Sequence, residues 1–378
     1  MTRITASWLT DIGPQTVCRV LTDAGYQAWF VGGCVRNELL HEPVADLDLA
    51  TDAHPDVVTR LAQAAGLVVI PTGIDHGTVT VISQNVPFEV TTFRHDIATD
   101  GRRATVAFAD NMTDDARRRD FTVNALYAGP DGTVVDPLGG LPDLYARRIR
   151  FIEDADQRIK EDYLRVLRFF RFFAWYGDVN EGPDRDGIAA CADNIEGLQG
   201  LSKERVTSEL LKLLAAPDPA PAVASFAATG GLLQILPGST AVTLAVLIHV
   251  EHQAALAPDP IRRLVVLGGD PTCTMRLSNR DAKRYAQMQS DLAPGALGYR
   301  FGLQIAMDAL AVRAASLGRE IDPDAAEAAK TGAGEVFPLK AADLMPEIQG
   351  AALGKALKDA ENRWIASGFT LTRADLLG

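Results

Sequence analysis

No apolar run in this 378-residue chain approaches the ~18–20 residues that a membrane-crossing helix requires, so no membrane partner is expected. The first residues also lack the basic-then-apolar pattern of a secretory signal, and a cytoplasmic location is expected. Cysteine is scarce. Cys18, Cys34, Cys191 and Cys273 are scattered, with no CxxC pair and no histidine at ligand spacing, so neither a zinc site nor a disulfide framework is indicated. Positive charge is in deficit as well: 37 Lys and Arg against 49 Asp and Glu give a net charge of −12. That balance argues against a basic coat for indiscriminate nucleic-acid binding, but not against a local basic groove, because the arginines cluster.

What is present suits a soluble globular chain of two or three domains, with 47% hydrophobic and 23% charged residues. The pattern is densest over residues 28–52. An apolar run at 28–31 reads as a buried strand, Gly32-Gly33 as a tight turn and residues 35–40 as the first turns of a helix. Backbone N–H groups at such a turn can hold a phosphate. Asp46-Leu47-Asp48-Leu49 then reads as a second strand, whose period of two places both carboxylates on one face. Either half alone is common on ordinary turns and solvated strands. Together they suit Mg²⁺-dependent chemistry on a nucleoside triphosphate.

Further along, residues 10–25 read as an amphipathic helix closed by Gly25. Residues 55–65 read as a helix entered at Thr51 or Asp52 and stopped by Gly66. A strand is expected at 67–70, and a hairpin at 76–82 and 87–93, split by Gln84-Asn85. Glu89 on that hairpin is either a third carboxylate near the metal or an exposed glutamate on a sheet edge. Residues 94–105 show no clear periodicity and are expected to form a mobile loop. Asp114 or Asp115 is expected to cap a helix carrying Arg118, Arg119 and Asp120 just ahead of the apolar Phe121, Val123 and Leu126. Charged groups beside so apolar a segment need partners, and triphosphate oxygens would suffice. A Pro- and Gly-rich stretch at 134–144 marks a hinge, after which the chain reads as helical, with no strand expected beyond about 152.

The most informative helix is expected over 160–174. Asp162, Arg165, Arg168 and Arg171 recur there at every third position among almost uninterrupted apolar residues. An ion pair of Glu161 or Asp162 with Arg165 accounts for one arginine but not three. An acceptor beside a donor, Asp162 beside Arg165, matches the pairing edges of cytosine and adenine and mismatches those of guanine and uracil.

Eight segments occur in order: Gly32-Gly33-Cys34-Val35-Arg36, Asp46-Leu47-Asp48, His76-Gly77-Thr78-Val79-Thr80-Val81, Phe88-Glu89-Val90-Thr91-Thr92-Phe93-Arg94, Arg118-Arg119-Asp120-Phe121-Thr122-Val123-Asn124-Ala125, a stretch from Asp136 to Asp143, Glu161-Asp162-Tyr163-Leu164-Arg165, and one from Ser202 to Leu210. This series resembles the bacterial class II CCA-adding tRNA nucleotidyltransferases, which share motifs with bacterial poly(A) polymerases. The resemblance implies an α+β fold, with a polymerase-beta-like nucleotidyltransferase head followed by an all-helical neck, body and tail. The expected bounds are 1–135, 136–200, 201–275 and 276–378. It also implies growth of the tRNA 3′ end from CTP and then ATP, with Mg²⁺ as cofactor.

Position by position, the resemblance implies that Asp46 and Asp48 are metal ligands, with Glu89 beside them in the catalytic set. Gly33 and Arg36 then bind nucleotide at the turn, and Arg118, Arg119 and Asp120 contact triphosphate and ribose. Asp162, Arg165, Arg168 and Arg171 read the base and bind phosphate. The stretch at 136–143 resembles the family's hinge, and the loop at 94–105 resembles the flexible element that switches from C to A, its Asp100-Gly101-Arg102-Arg103 partly fitting the family's Asp-x-Arg-Arg while the aromatic common just before it is absent at Ile97-Ala98. Asn37 stands where the family usually has Asp. His249 and His252 are too few for the metal-dependent phosphohydrolase module that some relatives carry, so none is expected. Acidic charge and the Pro71-to-Gly77 segment favour CCA addition over poly(A) synthesis. CC-only or A-only addition, and an inactive RNA-binding protein on the same scaffold, remain as alternatives, and the oligomeric state stays open.

Overall fold

The computed structural model describes residues 2–71, 73–74, 77–99, 104–345 and 348–378, with backbone alone for 95–99 and 104–106. His76 and the Asp100-to-Arg103 segment therefore lie outside the described residues. The chain forms two compact units, one of Met1–Ser202 with Ala228–Gln234, the other of Lys203–Ala227 with Ile235–Gly378.

The first unit is built on a seven-stranded sheet. Its strands are β1 (Trp29–Val31), β2 (Asp48–Thr51), β3 (Val68–Ile70), β4 (Thr78–Ser83), β5 (Val86–Thr92), β8 (Tyr127–Ala128) and β9 (Val134–Val135), in the order β3-β4-β5-β2-β1-β8-β9. The β4–β5 hairpin turns on Gln84 and Asn85, both at positive φ (52° and 62°), which matches the twist of the flanking strands. Alternation along the hairpin buries Val79, Val81, Phe88 and Val90 on one face and leaves Thr78, Thr80 and Glu89 on the other.

Among the described residues up to Ser202, this unit carries the helices α1 (Ser7–Thr10), α2 (Ile12–Thr22), α3 (Gly33–Leu39), α4 (Pro55–Ala64), α5 (Met112–Arg117), α6 (Leu141–Tyr145), α7 (Ala155–Glu161), α8 (Leu164–Tyr176) and α9 (Arg185–Asp193). Several differ from the sequence reading, each for a local reason. The N-cap of α4 is His54, because Asp52 instead accepts the Gln27 backbone N–H at 2.7 Å. Residues 94–99 and 104–108 form a two-stranded antiparallel ribbon, β6 (Arg94–Thr99) with β7 (Ala104–Phe108), rather than an irregular loop. Asn111, not Asp114 or Asp115, caps α5, accepting from the Asp114 N–H at 2.9 Å. That helix ends at Arg117, so Arg119 and Asp120 lie beyond it. The helix expected over 160–174 is broken at Asp162, which has extended backbone (φ −157°, ψ 104°) and accepts the Leu164 N–H through Oδ1 at 3.1 Å. Asp side chains compete for backbone in this way at helix ends.

A cluster of Val31, Ala50, Phe93, Ala116, Tyr127 and Ile152 fills the core over β1 and β2. Phe121, Phe151, Phe169 and Phe172 stack beside it, with Phe151 and Phe169 centroids 5.4 Å apart. The stretch expected to be a hinge is pinned at two points. Asp136 accepts the Gly140 and Leu141 N–H groups at 2.8 and 2.9 Å, and buried Asp143 pairs with Arg148 and Arg150. A Cβ on Gly140 would fall 2.3 Å from the Thr122 carbonyl, so only glycine fits.

Beyond Ser202 the chain is helical: α10 (Lys203–Leu214), α11 (Ala220–Ala228), α12 (Gly231–Ile235), α13 (Val242–Gln253), α14 (Pro260–Leu267), α15 (Asn279–Met288), α16 (Pro294–Phe301), α17 (Leu303–Ser316), α18 (Pro323–Gly334), α19 (Ala341–Leu344), α20 (Ala351–Ala366) and α21 (Arg373–Leu377). Within the second unit, fully buried Arg262 and Arg263 on α14 share Glu251 of α13, and Arg262 also pairs with Asp308 of α17 at 2.6 Å. In the basic run at 276–285, Arg284 is drawn into this cluster through Asp259 and Asp308, while exposed Arg276 pairs with Glu204. Among the described residues no helix is long and apolar enough to cross a membrane.

Candidate active site

Asp48 opens β2, and its register partner on the parallel strand β5 is Glu89. Directly paired residues project to the same face, so both carboxylates stand on the side of the sheet opposite Val81 and Phe88. Asp46 lies just before β2 rather than within it, exposed, in a departure from the two-carboxylate strand read from the sequence. Burial first, then the charges of Glu89 and Asp46, push the Asp48 carboxyl up to about 6 against the opposing pull of Arg119. Crowded carboxylates of this kind are relieved by a hard cation. Among the described residues no group of three or more His, Cys, Asp and Glu is arranged to hold a metal. Mg²⁺, however, commonly takes only one or two carboxylates and completes its shell with water and phosphate oxygens, which Asp46 and Asp48 fit.

The turn between β1 and α3 faces two guanidinium groups. Gly32 sits at φ 72°, where a side chain is strained, and a Cβ there would lie 3.3 Å from Arg119 Nη1. Arg119 is held by buried Asp115 (Nη2 to Oδ2, 2.9 Å), which also accepts the Tyr127 hydroxyl at 2.7 Å. Burial would lower the Arg119 pKa, but Asp115 and Tyr127 together outweigh it and the net shift is upward, so the charge is secure. Arg118, the C-cap of α5, is half-buried and lends its carbonyl to Arg165 Nη2 at 3.0 Å. On the other side of the turn, Arg36 is only 6% exposed. Its guanidinium donates to Asn37 Oδ1, Asn124 Oδ1 and the Tyr176 hydroxyl.

Helix α8 brings up the arginines of the ladder. Arg168 donates through Nε to Asp120 Oδ2 at 2.7 Å. Burial would raise the Asp120 carboxyl, but Arg168 and the Asn124 amide outweigh it and hold it down to about 2. Arg171 lies over the Phe172 ring at 4.5 Å. Arg165 pairs with Glu161 at 2.6 Å and also donates to the Arg158 carbonyl. Glu161 thus supplies the ion pair that the sequence reading allowed for one arginine, and Asp162 stands at the junction of α7 and α8 rather than along a helix face.

The first unit therefore gathers Gly33, Arg36, Asp46, Asp48, Glu89, Arg118, Arg119, Asp120, Asp162, Arg165, Arg168 and Arg171 in one compact body. Sequence reasoning named Asp115 only as a candidate helix cap and did not single out Asn124, Tyr127 or Tyr176. The i, i+4 stripe of Arg168, Phe172 and Tyr176 on α8 is the one signal that pointed to the last of these. Chemically, the set offers clustered carboxylates, a glycine turn and several guanidinium groups, which suits binding of a metal-bound polyphosphate.

The fold and this set of groups are similar to those of nucleotidyltransferases. Residues 28–150 match the family model described as the Poly A polymerase head domain, and residues 184–242 match that described as the probable RNA and SrmB-binding site of polymerase A. Over these stretches the chain is similar to the family that CCA-adding tRNA nucleotidyltransferases share with poly(A) polymerases. It is 37% identical over 249 residues to the CCA-adding enzyme of Limosilactobacillus reuteri, covering 64% of this chain and 60% of that one. It is 40% identical over 203 residues to the mitochondrial CCA tRNA nucleotidyltransferase 1 of Mus musculus, covering 53% and 47%. The chain thus spans about half the length of the curated relatives it matches. Among solved structures, the Bacillus stearothermophilus CCA-adding enzyme in complex with CTP superposes with a TM-score of 0.73 at 28% identity, covering 94% of this chain and 92% of that one. The Thermotoga maritima CCA-adding enzyme complexed with tRNA shares the fold (TM-score 0.67, 15% identity, covering 96% and 93%).

Proposed function

We propose that this protein is a template-independent tRNA nucleotidyltransferase that adds CCA to tRNA 3′ ends from CTP and ATP, in the cytoplasm. The observation that carries the reading is the register pairing of Asp48 with Glu89, with Asp46 adjacent, in the same compact unit as the Gly32-Gly33 turn and the α8 arginines. Similarity to CCA-adding enzymes from bacteria and animals supports it.

Asp46 and Asp48 would hold Mg²⁺. When bound, the metal neutralises phosphate charge and activates the attacking 3′-hydroxyl. Glu89 sits beside Asp48 on the same face and adds negative charge that strengthens cation binding. Arg119, fixed by Asp115 and Tyr127, meets the triphosphate near the Gly32-Gly33 turn, where backbone N–H groups donate to phosphate oxygens. Arg168, oriented by Asp120, and Arg171 supply further positive charge from α8. Arg165 and Asp162 present a donor and an acceptor for the base, with Glu161 restraining Arg165.

The test is a product-length gel. Purified protein, Mg²⁺ and tRNA lacking its last three nucleotides are incubated with CTP alone, ATP alone, both, GTP or UTP. The reading predicts addition of two residues with CTP alone, a third only when ATP is also present, and no use of GTP or UTP. Long runs of A from ATP alone would assign poly(A) synthesis instead. Arrest at CC with both triphosphates would assign CC-only addition.

A further inference from the structure

Arg36 is a buried cation without a carboxylate. Among the described residues it forms no ion pair, and its hydrogen-bond partners are neutral: Asn37 Oδ1 at 2.7 and 3.1 Å, Asn124 Oδ1, and the Tyr176 hydroxyl at 2.9 Å, with the charges of Asp120 and Arg171 acting from further off. Two aromatic rings complete the enclosure, Tyr176 with its centroid 4.1 Å from the guanidinium carbon and Phe172 at 5.0 Å. Taking a guanidinium out of water costs several kcal/mol unless its donors are met and its charge is faced by negative potential. Tyr176 does both, through an oxygen acceptor and a π face. It is the residue that makes Arg36 tolerable where it is.

The place matters because Arg36 underlies the turn. A Cβ on Gly33 would lie 3.9 Å from Arg36 Nη2, the nitrogen that also donates to Tyr176. From Arg36 the contacts run on through Asn124, whose amide donates to Asp120 at 2.9 Å, and Asp120 returns to α8 through Arg168. Helix α8 thus joins this network twice, at Tyr176 directly to Arg36 and at Arg168 through Asp120, two turns apart and about 12 Å along its axis.

We infer that Tyr176 is a positioning residue for nucleotide binding: it fixes Arg36, and through Arg36 the Gly32-Gly33 turn, against the arginine-bearing helix α8. The inference rests on the proposed nucleotidyltransferase reading and assigns Arg36 to supporting the turn from beneath rather than to direct contact with nucleotide. The hydroxyl and the ring act separately, so two substitutions grade the effect. Tyr176→Phe keeps the π face and removes the acceptor, and Tyr176→Leu removes both.

The experiment measures equilibrium binding of CTP to full-length protein in Ca²⁺ without tRNA, then steady-state kinetics with Mg²⁺ and a tRNA lacking its 3′ end. Tyr176→Leu is expected to weaken CTP binding and raise the KM for CTP by about tenfold, and Tyr176→Phe by about threefold, within the net range of a single lost hydrogen bond. The kcat and the KM for tRNA should stay within about twofold. If Tyr176→Leu does not fold, Tyr176→Phe decides alone by the same measure. Unchanged CTP affinity in the folded variants, or equal loss for CTP and tRNA, would overturn the inference while leaving the enzymatic reading intact. Failure of the unsubstituted protein to bind CTP would instead overturn the reading beneath it.

Discussion

Asp48 and Glu89 are register partners on two parallel strands whose paired positions lie 41 residues apart in sequence, yet set two carboxylates side by side on one sheet face. Burial, and then the like charge of Glu89, push the Asp48 carboxyl up to about 6. The arrangement has a measurable signature. Asp48 favours the fold most when protonated, below its unfolded pKa of about 4, and that contribution is lost as the pH rises through about 6. Asp48→Asn should therefore raise the melting temperature of metal-free protein at pH 7.5 by about 2–4 °C, with a smaller gain at pH 5. Added Mg²⁺ should stabilise the unsubstituted protein at pH 7.5 and leave Asp48→Asn unmoved. A lower melting temperature for Asp48→Asn at pH 7.5 would count against a strained carboxylate cluster.

Asp120 behaves in the opposite sense. Its carboxyl is held down to about 2, so its contribution is present above the unfolded pKa of about 4 and lost as the pH falls through about 2. Because Arg168 is 30% exposed, the pair is partly screened. Asp120→Asn is expected to destabilise the protein by about 2 kcal/mol at pH 7 in urea denaturation, less than the ~3–5 kcal/mol of a fully buried pair. No loss at pH 7 would show that Asn124 and Arg168 do not depend on the charge.

Arg165 is clamped by Glu161, and base choice should depend on the clamp as well as on the arginine. Arg165→Ala and Glu161→Gln are both expected to raise UTP incorporation relative to CTP by about tenfold or more, as polar discrimination is lost. Competition between labelled triphosphates measures the ratio. A uniform fall in rate with the ratio unchanged would remove Arg165 from base selection.

The second unit carries its own test. Glu251 is fully buried and bonded to both Arg262 and Arg263. Glu251→Ala leaves two buried guanidinium groups short of a carboxylate and should cost about 3–5 kcal/mol in denaturant unfolding. CTP affinity of the folded variant should not change. A loss below about 1 kcal/mol would mean that backbone carbonyls and Asp308 suffice.

Local chemistry made much of the site legible in the sequence. A Gly-Gly pair after an apolar run implied a positive-φ turn, and Gln84-Asn85 between β-branched runs implied a two-residue hairpin. Both hold because backbone constraints act within a few residues. The partners that orient the arginines were harder to read. Asp115 with Tyr127, Asn124 with Arg36, and Tyr176 with Arg36 meet across 12, 88 and 140 positions, and no periodicity encodes such pairings. The break at Asp162 was hidden differently. The surrounding residues all favour helix, and only the Asp, a residue that prefers caps to helix interiors, hinted that α7 and α8 are separate. For residues 94–108, alternation was too weak to signal the ribbon that hydrogen bonding between β6 and β7 creates.

The most direct test of the central claim is a single-turnover measurement of one CMP added to tRNA lacking its 3′ end, comparing the unsubstituted protein with Asp46→Asn and Asp48→Asn at saturating CTP and Mg²⁺. Each substitution keeps the shape of the side chain and removes the charge proposed to hold the metal. A fall in rate of about a thousandfold or more, with the variants folded, is the predicted result. Rates within tenfold of the unsubstituted protein would contradict the assignment of these carboxylates to the chemistry.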